Sequence, residues 1–299
     1  MNTELLNKIK KLIGSDNVLE QEPMKLHTSM EVGGPAECLL RPGSIEEVSG
    51  LLRILNEAEY PYFIKGNGSN LIVRDEGYPG AIIEMMRMNR IRTAGECIEA
   101  ECGALLKDIS EAAVSASLSG FEFASGIPGS LGGAVTMNAG AYDGEMKDII
   151  REVTLLDKNG NLLAKSGPEM DFSYRHSICS GGDFIVLSAC FQLKPGNPAE
   201  IQKRIDELSE QRRSKQPLEF PSCGSTFKRP EGYFAGTLIS DAGLKGFRLG
   251  GAQVSEKHAG FVINRENATA SEVLDLIAHI QKTVKEQFGV ELQCEVKII

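Results

Sequence analysis

Two hydrophobic periodicities run along this chain of 299 residues and predict both helices and strands. Apolar residues that recur every three or four positions are typical of a helix with one buried face. This pattern predicts helices over residues 1–17, 44–60, 104–120, 198–214 and 270–288. Ser44 and Glu47 have the spacing of a capping box at the start of the second helix, and Pro198 suits the start of the fourth.

Shorter apolar runs bounded by glycine, proline or asparagine predict strands. They cover residues 36–42, 62–65, 70–73, 81–84, 96–102, 183–193 and 292–299, and a hairpin turns at Asn159-Gly160. In the last strand the even-numbered residues from Leu292 to Ile298 are apolar and the residues between them are polar, which predicts one buried face. These patterns indicate a mixed α+β chain with no internal repeat and with a break at residues 194–198.

Charge and composition exclude several classes of protein. With 41 acidic and 32 basic residues the formal net charge is −9, so the chain lacks the basic face of a nucleic-acid-coating protein. No apolar run reaches the roughly 18–20 residues of a membrane span, and the N-terminal helix lacks the apolar block of a signal peptide. We therefore expect a cytoplasmic protein without nucleic-acid or membrane partners. A small anionic ligand stays possible, because it needs only local cations or backbone N–H groups.

The seven cysteines show neither a C-x-x-C pair nor a neighbouring histidine. This arrangement predicts reduced thiols and no metal site. Only Cys223 lies in a polar segment, PSCGST, and we interpret it as a residue that lines a site.

Two glycine-rich segments are candidates for ligand binding. Lys65–Asn70 (KGNGSN) matches neither the P-loop nor the Rossmann fingerprint and, taken alone, fits a plain strand–turn–strand better. Ser125–Ala134 (SGIPGSLGGA), extended by MNAGA at 137–141, contains too much glycine and proline for a helix or a central strand. Two such loops about sixty residues apart suit a nucleotide cofactor whose diphosphate is bound by main-chain N–H groups.

Six motifs in order make the prediction more specific. They are HTSMEVGGPAECLLRP at 27–42, KGNGSNLIV at 65–73, SGIPGSLGGAVTMNAGAY at 125–142, SYRHS at 173–177, CGSTFKRP at 223–230 and CEVKII at 294–299. In these motifs, from about residue 26 to its C-terminus, the chain resembles the UDP-N-acetylenolpyruvoylglucosamine reductase family. The resemblance implies the FAD-binding fold of the vanillyl-alcohol-oxidase/PCMH type in two subdomains, with a C-terminal α+β substrate domain. The implied division is 1–64 with the terminal strand 291–299, then 65–195, then 196–290.

The resemblance also implies a reaction. Members of the family reduce the enolpyruvyl ether of UDP-N-acetylglucosamine to UDP-N-acetylmuramate in peptidoglycan precursor synthesis, with non-covalent FAD as cofactor and NADPH as co-substrate. NADPH reduces FAD first, and the flavin then passes hydride to the methylene carbon of the substrate. Such a reaction needs groups that hold the carboxylate, stabilise the enolate and protonate its α-carbon.

Three residues match the family's catalytic positions. Arg175 matches the arginine that supports carboxylate and enolate charge, for which a planar cation is suited. Ser225 matches the proton donor, and nearby positive charge must assist it because serine is a weak acid. Glu295 matches a third residue that acts with Arg175 or through a water. Without the resemblance, Ser225 would be an ordinary turn residue and Glu295 a solvent-facing carboxylate.

Three further residues match positions that contact substrate, namely Tyr174, Lys215 and Lys245, although each also fits a packed or solvated side chain. Arg229 stands where some members have a substrate-contacting asparagine, so that contact is not carried over. Between Arg175 and the strand that begins near residue 184 there is no room for the tyrosine-bearing insertion of one class, so the chain resembles the shorter class.

The expected flavin-binding residues are those of the two glycine loops: Lys65, Gly66, Asn67, Gly68, Ser69, Asn70, Ser125, Gly126, Ile127, Pro128, Gly129, Ser130, Gly132, Gly133, Ala134, Asn138, Ala139 and Gly140. Two alternatives stay open. One is an FAD-dependent oxidase or dehydrogenase of the same fold, which is weakened because the loops contain no histidine or cysteine to tether FAD. The other is a non-catalytic nucleotide-binding module, which would not explain the three catalytic matches. A monomer is the default expectation.

Overall fold

The computed structural model describes all 299 residues of the chain. Its helices are α1 Thr3–Ile13, α2 Ile45–Glu57, α3 Leu106–Ser115, α4 Leu131–Thr136, α5 Pro198–Lys215, α6 Ala235–Asp241 and α7 Ala270–Phe288. Its strands are β1 Val18–Pro23, β2 Pro35–Leu40, β3 Tyr62–Lys65, β4 Leu71–Ile72, β5 Tyr78–Glu84, β6 Ile91–Ala94, β7 Cys97–Glu101, β8 Leu118–Ser119, β9 Gly140–Ala141, β10 Gly144–Glu145, β11 Ile150–Asp157, β12 Leu162–Ser166, β13 Phe184–Gln192, β14 Lys194–Pro195, β15 Arg248–Leu249, β16 Ala252–Val254, β17 Val262–Asn264 and β18 Lys297–Ile298.

The five helices predicted from periodicity are confirmed, because their start and stop signals are local. The Ser44 side chain accepts the N–H of Glu47 at the start of α2, but the Glu47 carboxylate accepts the N–H of Gly43, so only half of the predicted capping box forms. Helix α7 begins with a capping box between Thr269 and Glu272 and ends at Gly289, which adopts the left-handed conformation of a helix C-cap. None of the seven helices combines the length and the hydrophobicity that a membrane crossing requires.

The expectation that residues 125–134 contain no helix is wrong. Helix α4 begins inside this segment at Leu131 and includes Gly132 and Gly133. A Cβ at Gly132 would lie 3.1 Å from the Cβ and 3.3 Å from the carbonyl oxygen of Cys102. Glycine is therefore used here for a close approach of the helix to the chain beyond β7, and this packing outweighs its low helix propensity.

Contacts divide the chain into two compact units. Unit 1 comprises residues 1–20, 38–67 and 80–212, and unit 2 comprises residues 21–37, 68–79 and 213–299. The terminal residues 291–299 thus belong to the same compact unit as residues 213–290. The division by function implied by the family resemblance stays a prediction.

Unit 1 is built on an antiparallel sheet in the order β12-β11-β13-β7-β6. The predicted hairpin at Asn159-Gly160 joins β11 to β12, with Leu156 opposite Leu162. Buried aromatic rings fill the core beside this sheet, including Phe121 and Phe191, whose centroids lie 5.1 Å apart in an edge-to-face arrangement. In the same unit, β3 runs parallel to β5 and places Lys65 opposite Glu84.

Unit 2 contains the antiparallel sheet β15-β16-β17 and the long helix α7, whose residues Val273, Leu276 and Ile280 are buried in a shared core. Strand β18 pairs parallel with β4. The regular part of the predicted terminal strand is thus shorter than expected, although the alternation holds at Leu292 and Val296, which are both buried. All seven cysteines of the chain are free, as predicted.

Candidate active site

The two glycine-rich segments meet within unit 1. The backbone of Gly66 lies so close to Ser130 that a Cβ on Gly66 would be 2.2 Å from the Ser130 Oγ. The side-chain amide of Asn67 donates to the carbonyl of Pro128 at 2.9 Å, and its backbone N–H is 3.4 Å from the Ser130 Oγ. Only glycine at position 66 allows this contact, so the two loops pack directly against each other.

The side chain of Lys65 is buried, and its Nζ donates to the carbonyl of the adjacent Gly66 at 3.0 Å. It is 4% exposed, and its Nζ lies 2.7 Å from Oε1 of Glu84 on the neighbouring strand. Burial lowers the pKa of the Lys65 ammonium, and the Glu84 carboxylate opposes that shift. Arg41 approaches the other oxygen of Glu84 at 3.3 Å. The lysine thus neutralises a buried carboxylate, and it is the backbone of the loop that is left to meet a ligand.

Helix α4 offers main-chain groups at its start, and two of them are already used. The N–H groups of Leu131 and Gly132 donate to the carbonyls of Ala104 and Cys102 at 2.9 and 2.8 Å. Gly133 differs, because it is exposed and no atom lies within 4 Å of the position that a Cβ would occupy. As the third residue of the helix, it has an N–H without an intrahelical acceptor. Gly133 therefore combines open space for a ligand with a backbone N–H that can donate to it.

Arg212 on α5 is a candidate that the sequence did not reveal. Its Nε would lie 2.8 Å from a Cβ on Gly126, its guanidinium carbon is 5.9 Å from the Tyr142 ring centroid, and its buried Nε has no hydrogen-bond partner. Burial lowers the pKa of the guanidinium, while Tyr142 opposes that shift. Buried cations are normally paired, so this one is suited to an anionic ligand. In the sequence it was one cation among several at the end of a charged helix.

Arg175 lies at the tip of a tight turn. Ser173 and His176 exchange two backbone hydrogen bonds of 3.2 and 3.1 Å, which leaves Tyr174 and Arg175 between them. Arg175 has a φ of +54°, a left-handed conformation that side chains other than those of glycine, asparagine and aspartate rarely adopt. Its guanidinium carbon lies 5.3 Å from the centroid of the Tyr174 ring, which is 49% exposed. Arg175 itself is half-buried, and strain at a cationic residue of this kind is typical of a functional site.

Unit 2 brings Ser225 and Glu295 close together along the backbone. Ser225 is exposed and follows Gly224, whose φ is +74°. The carbonyl of its neighbour Thr226 accepts the N–H of Glu295 at 2.9 Å. The Glu295 carbonyl in turn accepts the side-chain amide of Asn70 at 3.0 Å. The proton-donor and carboxylate positions implied by the family thus share one backbone network with the end of the first glycine loop.

Cys223 is not a reactive thiol. It is buried, its Sγ lies 3.5 Å from the carbonyl oxygen of Leu71, and burial raises its pKa to about 12. A thiolate is therefore absent near neutral pH. No group of three or more His, Cys, Asp or Glu side chains in the chain is arranged to hold a metal ion.

The other expected residues divide between the units. Lys215, at the end of α5, and Lys245 are exposed lysines of unit 2. Burial lowers the pKa of the His258 ring, and the charge of Lys245 lowers it further. Gly68, Ser69 and Asn70 also belong to unit 2, where the Gly68 carbonyl accepts the N–H of Ser29 at 3.1 Å. The expected loop residues from Ser125 to Gly140 all belong to unit 1.

Comparison with known proteins identifies relatives over almost the whole chain. Residues 216–299 match the family model described as UDP-N-acetylenolpyruvoylglucosamine reductase, C-terminal domain, and residues 36–165 match an FAD binding domain. The UDP-N-acetylenolpyruvoylglucosamine reductase of Clostridium perfringens (strain SM101 / Type A) is 53% identical over 293 residues, which cover 97% of this chain and 96% of that protein.

Solved structures agree with this result. The crystal structure of the UDP-N-acetylenolpyruvylglucosamine reductase from Thermus caldophilus superposes with a TM-score of 0.80 at 35% identity, covering 94% of this chain and 97% of that one. An alkyldihydroxyacetonephosphate synthase matches with a TM-score of 0.52 at 15% identity, over 65% of this chain and 41% of that one. At that identity the second match concerns the fold alone, and it supports the expected α+β FAD-binding fold.

Proposed function

Because this chain belongs to the UDP-N-acetylenolpyruvoylglucosamine reductase family, we propose that Arg175, Ser225 and Glu295 carry out the reduction for which the family is named. The chain is an FAD-dependent oxidoreductase of peptidoglycan precursor synthesis. Its substrate is the enolpyruvyl ether of UDP-N-acetylglucosamine, and its product is UDP-N-acetylmuramate. The observation that carries the assignment of residues is the hydrogen bond between Thr226 and Glu295, which joins the Ser225 turn to the segment that contains Glu295.

The residues of unit 1 fit a flavin dinucleotide. Gly133 offers open space and a helix-start N–H, and Arg212 supplies a buried cation that has no hydrogen-bond partner for its Nε. An FAD diphosphate carries negative charge, which suits the Arg212 cation, and oxygen acceptors, which suit the Gly133 N–H. When bound there, FAD would supply the hydride chemistry of the reaction, between NADPH and the enolpyruvyl group. The joined loops around Gly66 and Ser130 exclude side chains from the surface on which the cofactor would lie.

Arg175 holds the substrate carboxylate in this proposal. A guanidinium can donate two parallel hydrogen bonds to a carboxylate, and its charge then stabilises the enolate that develops when hydride arrives at the methylene carbon. Its place at the tip of a turn keeps the guanidinium off the core of unit 1. Tyr174, exposed beside it, contacts the substrate from the same turn.

Ser225 protonates the α-carbon of the enolate. Its exposed hydroxyl stands at the tip of a turn that the Thr226 hydrogen bonds hold in place. The proton leaves a serine only if positive charge stabilises the alkoxide, so cationic side chains near the bound substrate are part of the machinery. Lys215 and Lys245 are the candidates for this role and for contacts to the substrate phosphates. Glu295 supports the enol oxygen with Arg175 or through a water.

Further features of the proposal come from the family. NADPH is the source of hydride, FAD is bound without a covalent link, and the protein acts in the cytoplasm as a monomer. Its product is used in cell-wall synthesis, on which cell shape and cell division depend. The alternative of an oxidase of the same fold explains the FAD-binding domain but gives Ser225 and Glu295 no role.

The proposal is tested by separating the two half-reactions in purified protein. NADPH should bleach the flavin spectrum anaerobically, and the UDP-linked enol ether should then restore it. Ser225→Ala should leave the first step intact and block the second. Ser222→Ala, three residues earlier, is the matched control and should leave both steps unchanged. Failure of the enol ether to reoxidise the flavin of the unmodified protein would contradict the proposed function, and equal loss of both steps in Ser225→Ala would assign Ser225 a structural role.

A further inference from the structure

We propose that Asn138 is a positioning residue that holds the Tyr174–Arg175 turn in the geometry needed for the second half-reaction. This inference rests on the proposed role of Arg175. It changes the role expected for Asn138, because the family resemblance placed it among the flavin-binding residues, whereas its side chain is directed to the Arg175 turn.

The contacts of Asn138 use the hydrogen-bonding groups of its side chain fully. The residue is 1% exposed. Its Nδ2 donates to the Ser173 carbonyl at 3.1 Å and to Oε2 of Glu145 at 2.9 Å, and its Oδ1 accepts the N–H of Lys147 at 3.0 Å. Both amide protons and the amide oxygen are therefore engaged, and one of the three bonds reaches the first residue of the Arg175 turn.

The backbone at Asn138 explains why an asparagine stands there. Its φ is +42°, in the left-handed region that asparagine tolerates better than most residues. Glycine would adopt this conformation but would lack the amide, and glutamine would have the amide but a less suitable backbone. Asparagine meets both requirements, the local turn after α4 and the distant bond to Ser173.

A second set of bonds holds the other side of the same turn. The hydroxyl groups of Ser177 and Ser180 donate to the Thr136 carbonyl at the end of α4, at 2.9 and 3.1 Å. Ser177 is completely buried. The residues just before and just after Tyr174–Arg175 are thus both fixed to the end of α4, the helix that begins in the second glycine loop.

The strain at Arg175 makes this support necessary. A left-handed arginine is less stable than an extended one, so an unsupported turn would relax and move the guanidinium. The Glu145 carboxylate, which accepts a hydrogen bond from the same Asn138 amide, adds an electrostatic interaction with Arg175. Hydrogen bonds from Lys147 and Asn138 lower the pKa of Glu145, and the charge of Arg175 contributes further in the same direction. A negative charge is therefore maintained beside the arginine.

The test uses Asn138→Gly, which removes all three side-chain bonds and keeps a residue that suits the left-handed backbone. Asn267→Gly is the matched control, because Asn267 is an exposed asparagine with a φ of +50° outside the proposed site. Asn138→Asp is a second variant, which keeps the acceptor for Lys147 but replaces the donors that face Ser173 and Glu145. All three holoenzymes are examined in both half-reactions by anaerobic stopped-flow absorbance.

We expect Asn138→Gly to slow flavin reoxidation by the enol ether on the order of a hundredfold and to leave reduction by NADPH within about twofold. The reason is that the displaced Arg175 guanidinium acts only on the enol ether. Asn138→Asp should behave in the same way, and Asn267→Gly should match the unmodified protein. In an Arg175→Ala background the Asn138→Gly change should slow reoxidation by less than about threefold more, because a positioning residue has no effect once its partner is absent.

Two results would overturn the inference. One is equal slowing of both half-reactions by Asn138→Gly, and the other is full additivity of Asn138→Gly with Arg175→Ala. A purely structural role would produce both. If Arg175→Ala itself reoxidises normally, it is instead the proposed function of Arg175 that fails, so the two failures are distinguishable.

Discussion

The side-chain amide of Asn70 donates a hydrogen bond of 3.0 Å to the backbone carbonyl of Glu295, a residue 225 positions later in the sequence. The Asn70 carbonyl accepts the N–H of Lys297 at 3.1 Å, and the Glu295 N–H donates to Thr226. The backbone of Glu295 is therefore held from both sides. One side is the first glycine loop and the other is the Ser225 turn, so Asn70 has a defined structural partner within the proposed machinery.

We predict that Asn70→Ala slows flavin reoxidation by the enol ether about tenfold, because loss of one partly buried hydrogen bond of roughly 1–1.5 kcal/mol frees the Glu295 backbone. Reduction of FAD by NADPH should change less. Asn56→Ala is the control, since the Asn56 amide makes the same type of bond, 2.8 Å long, to the carbonyl of Lys158. Single-turnover absorbance of the two half-reactions measures the effect, and an unchanged reoxidation rate would show that Asn70 does not position Glu295.

Arg212 gives a prediction in which ligand affinity and stability change in opposite directions. Arg212→Met should weaken FAD binding about ten- to a hundredfold, as expected for loss of a charge-assisted bond of about 1.5–3 kcal/mol. The apoprotein should be as stable as before or more stable, because a buried cation whose Nε has no partner is replaced by an apolar chain. Flavin fluorescence titration and thermal unfolding of the apoprotein test the two effects.

Arg213→Met, at the exposed neighbouring position, is the matched control for Arg212 and should leave the FAD affinity unchanged. If Arg212→Met destabilises the apoprotein and leaves the flavin affinity unchanged, Arg212 has a structural role through Tyr142 instead.

The contact between Gly66 and Ser130 predicts a rescue. Gly66→Ala places a Cβ 2.2 Å from the Ser130 Oγ, which must move and give up its contact with the Asn67 N–H. FAD affinity should therefore fall about tenfold or more, because moving two packed loops resembles overpacking, which costs roughly 1–3 kcal/mol. The double variant Gly66→Ala, Ser130→Ala removes the clashing oxygen and should recover most of the affinity. Equal affinities of the single and double variants would contradict the proposed contact.

The helices were predictable because their signals are local. Ser44 caps the N–H of Glu47 three residues later, as its position indicates, and the apolar stripe of α7 is buried as its spacing indicates. Helix α4 was missed for the opposite reason. One of its glycines, Gly132, packs closely against Cys102, a contact between residues distant in sequence that no local propensity contains.

Prediction of the site from sequence was limited in the same way. The motifs identified the segments that contain the expected residues, but not which atoms those residues use. Lys65 was expected in the cofactor-binding loop, which stays a prediction, and its ammonium neutralises Glu84, a partner set by the pairing of β3 with β5. Asn70 and Asn138 were expected at the flavin, which likewise stays a prediction, and their side-chain amides bond to the carbonyls of Glu295 and Ser173. Each of these bonds depends on tertiary structure, so periodicity and motif order cannot predict them.

The start of α7 provides a prediction about pH. The Asp75 carboxylate accepts the N–H groups of Ala270 and Ser271, both at 2.8 Å, and the Ser271 hydroxyl at 2.6 Å. Burial alone would raise the pKa of Asp75, but the hydrogen bonds from Ser271 and Ala270 outweigh it and lower the pKa. A carboxyl whose pKa is lower in the folded state stabilises it fully above its ordinary pKa of about 3.9, and this stabilisation is lost as the pH falls through the lowered value.

Asp75→Ala should therefore reduce the free energy of unfolding by about 1 kcal/mol near neutral pH, the usual effect of losing a helix cap, and the Tm by about 2–4 °C. The difference from the unmodified protein should shrink as the pH falls below about 4, because protonated Asp75 no longer caps the helix. Asp275→Ala, on the exposed side of the same helix, is the control and should not lower the Tm. Thermal unfolding followed by circular dichroism at several pH values measures both variants, and a difference that stays constant from pH 7 to pH 3 would contradict the cap.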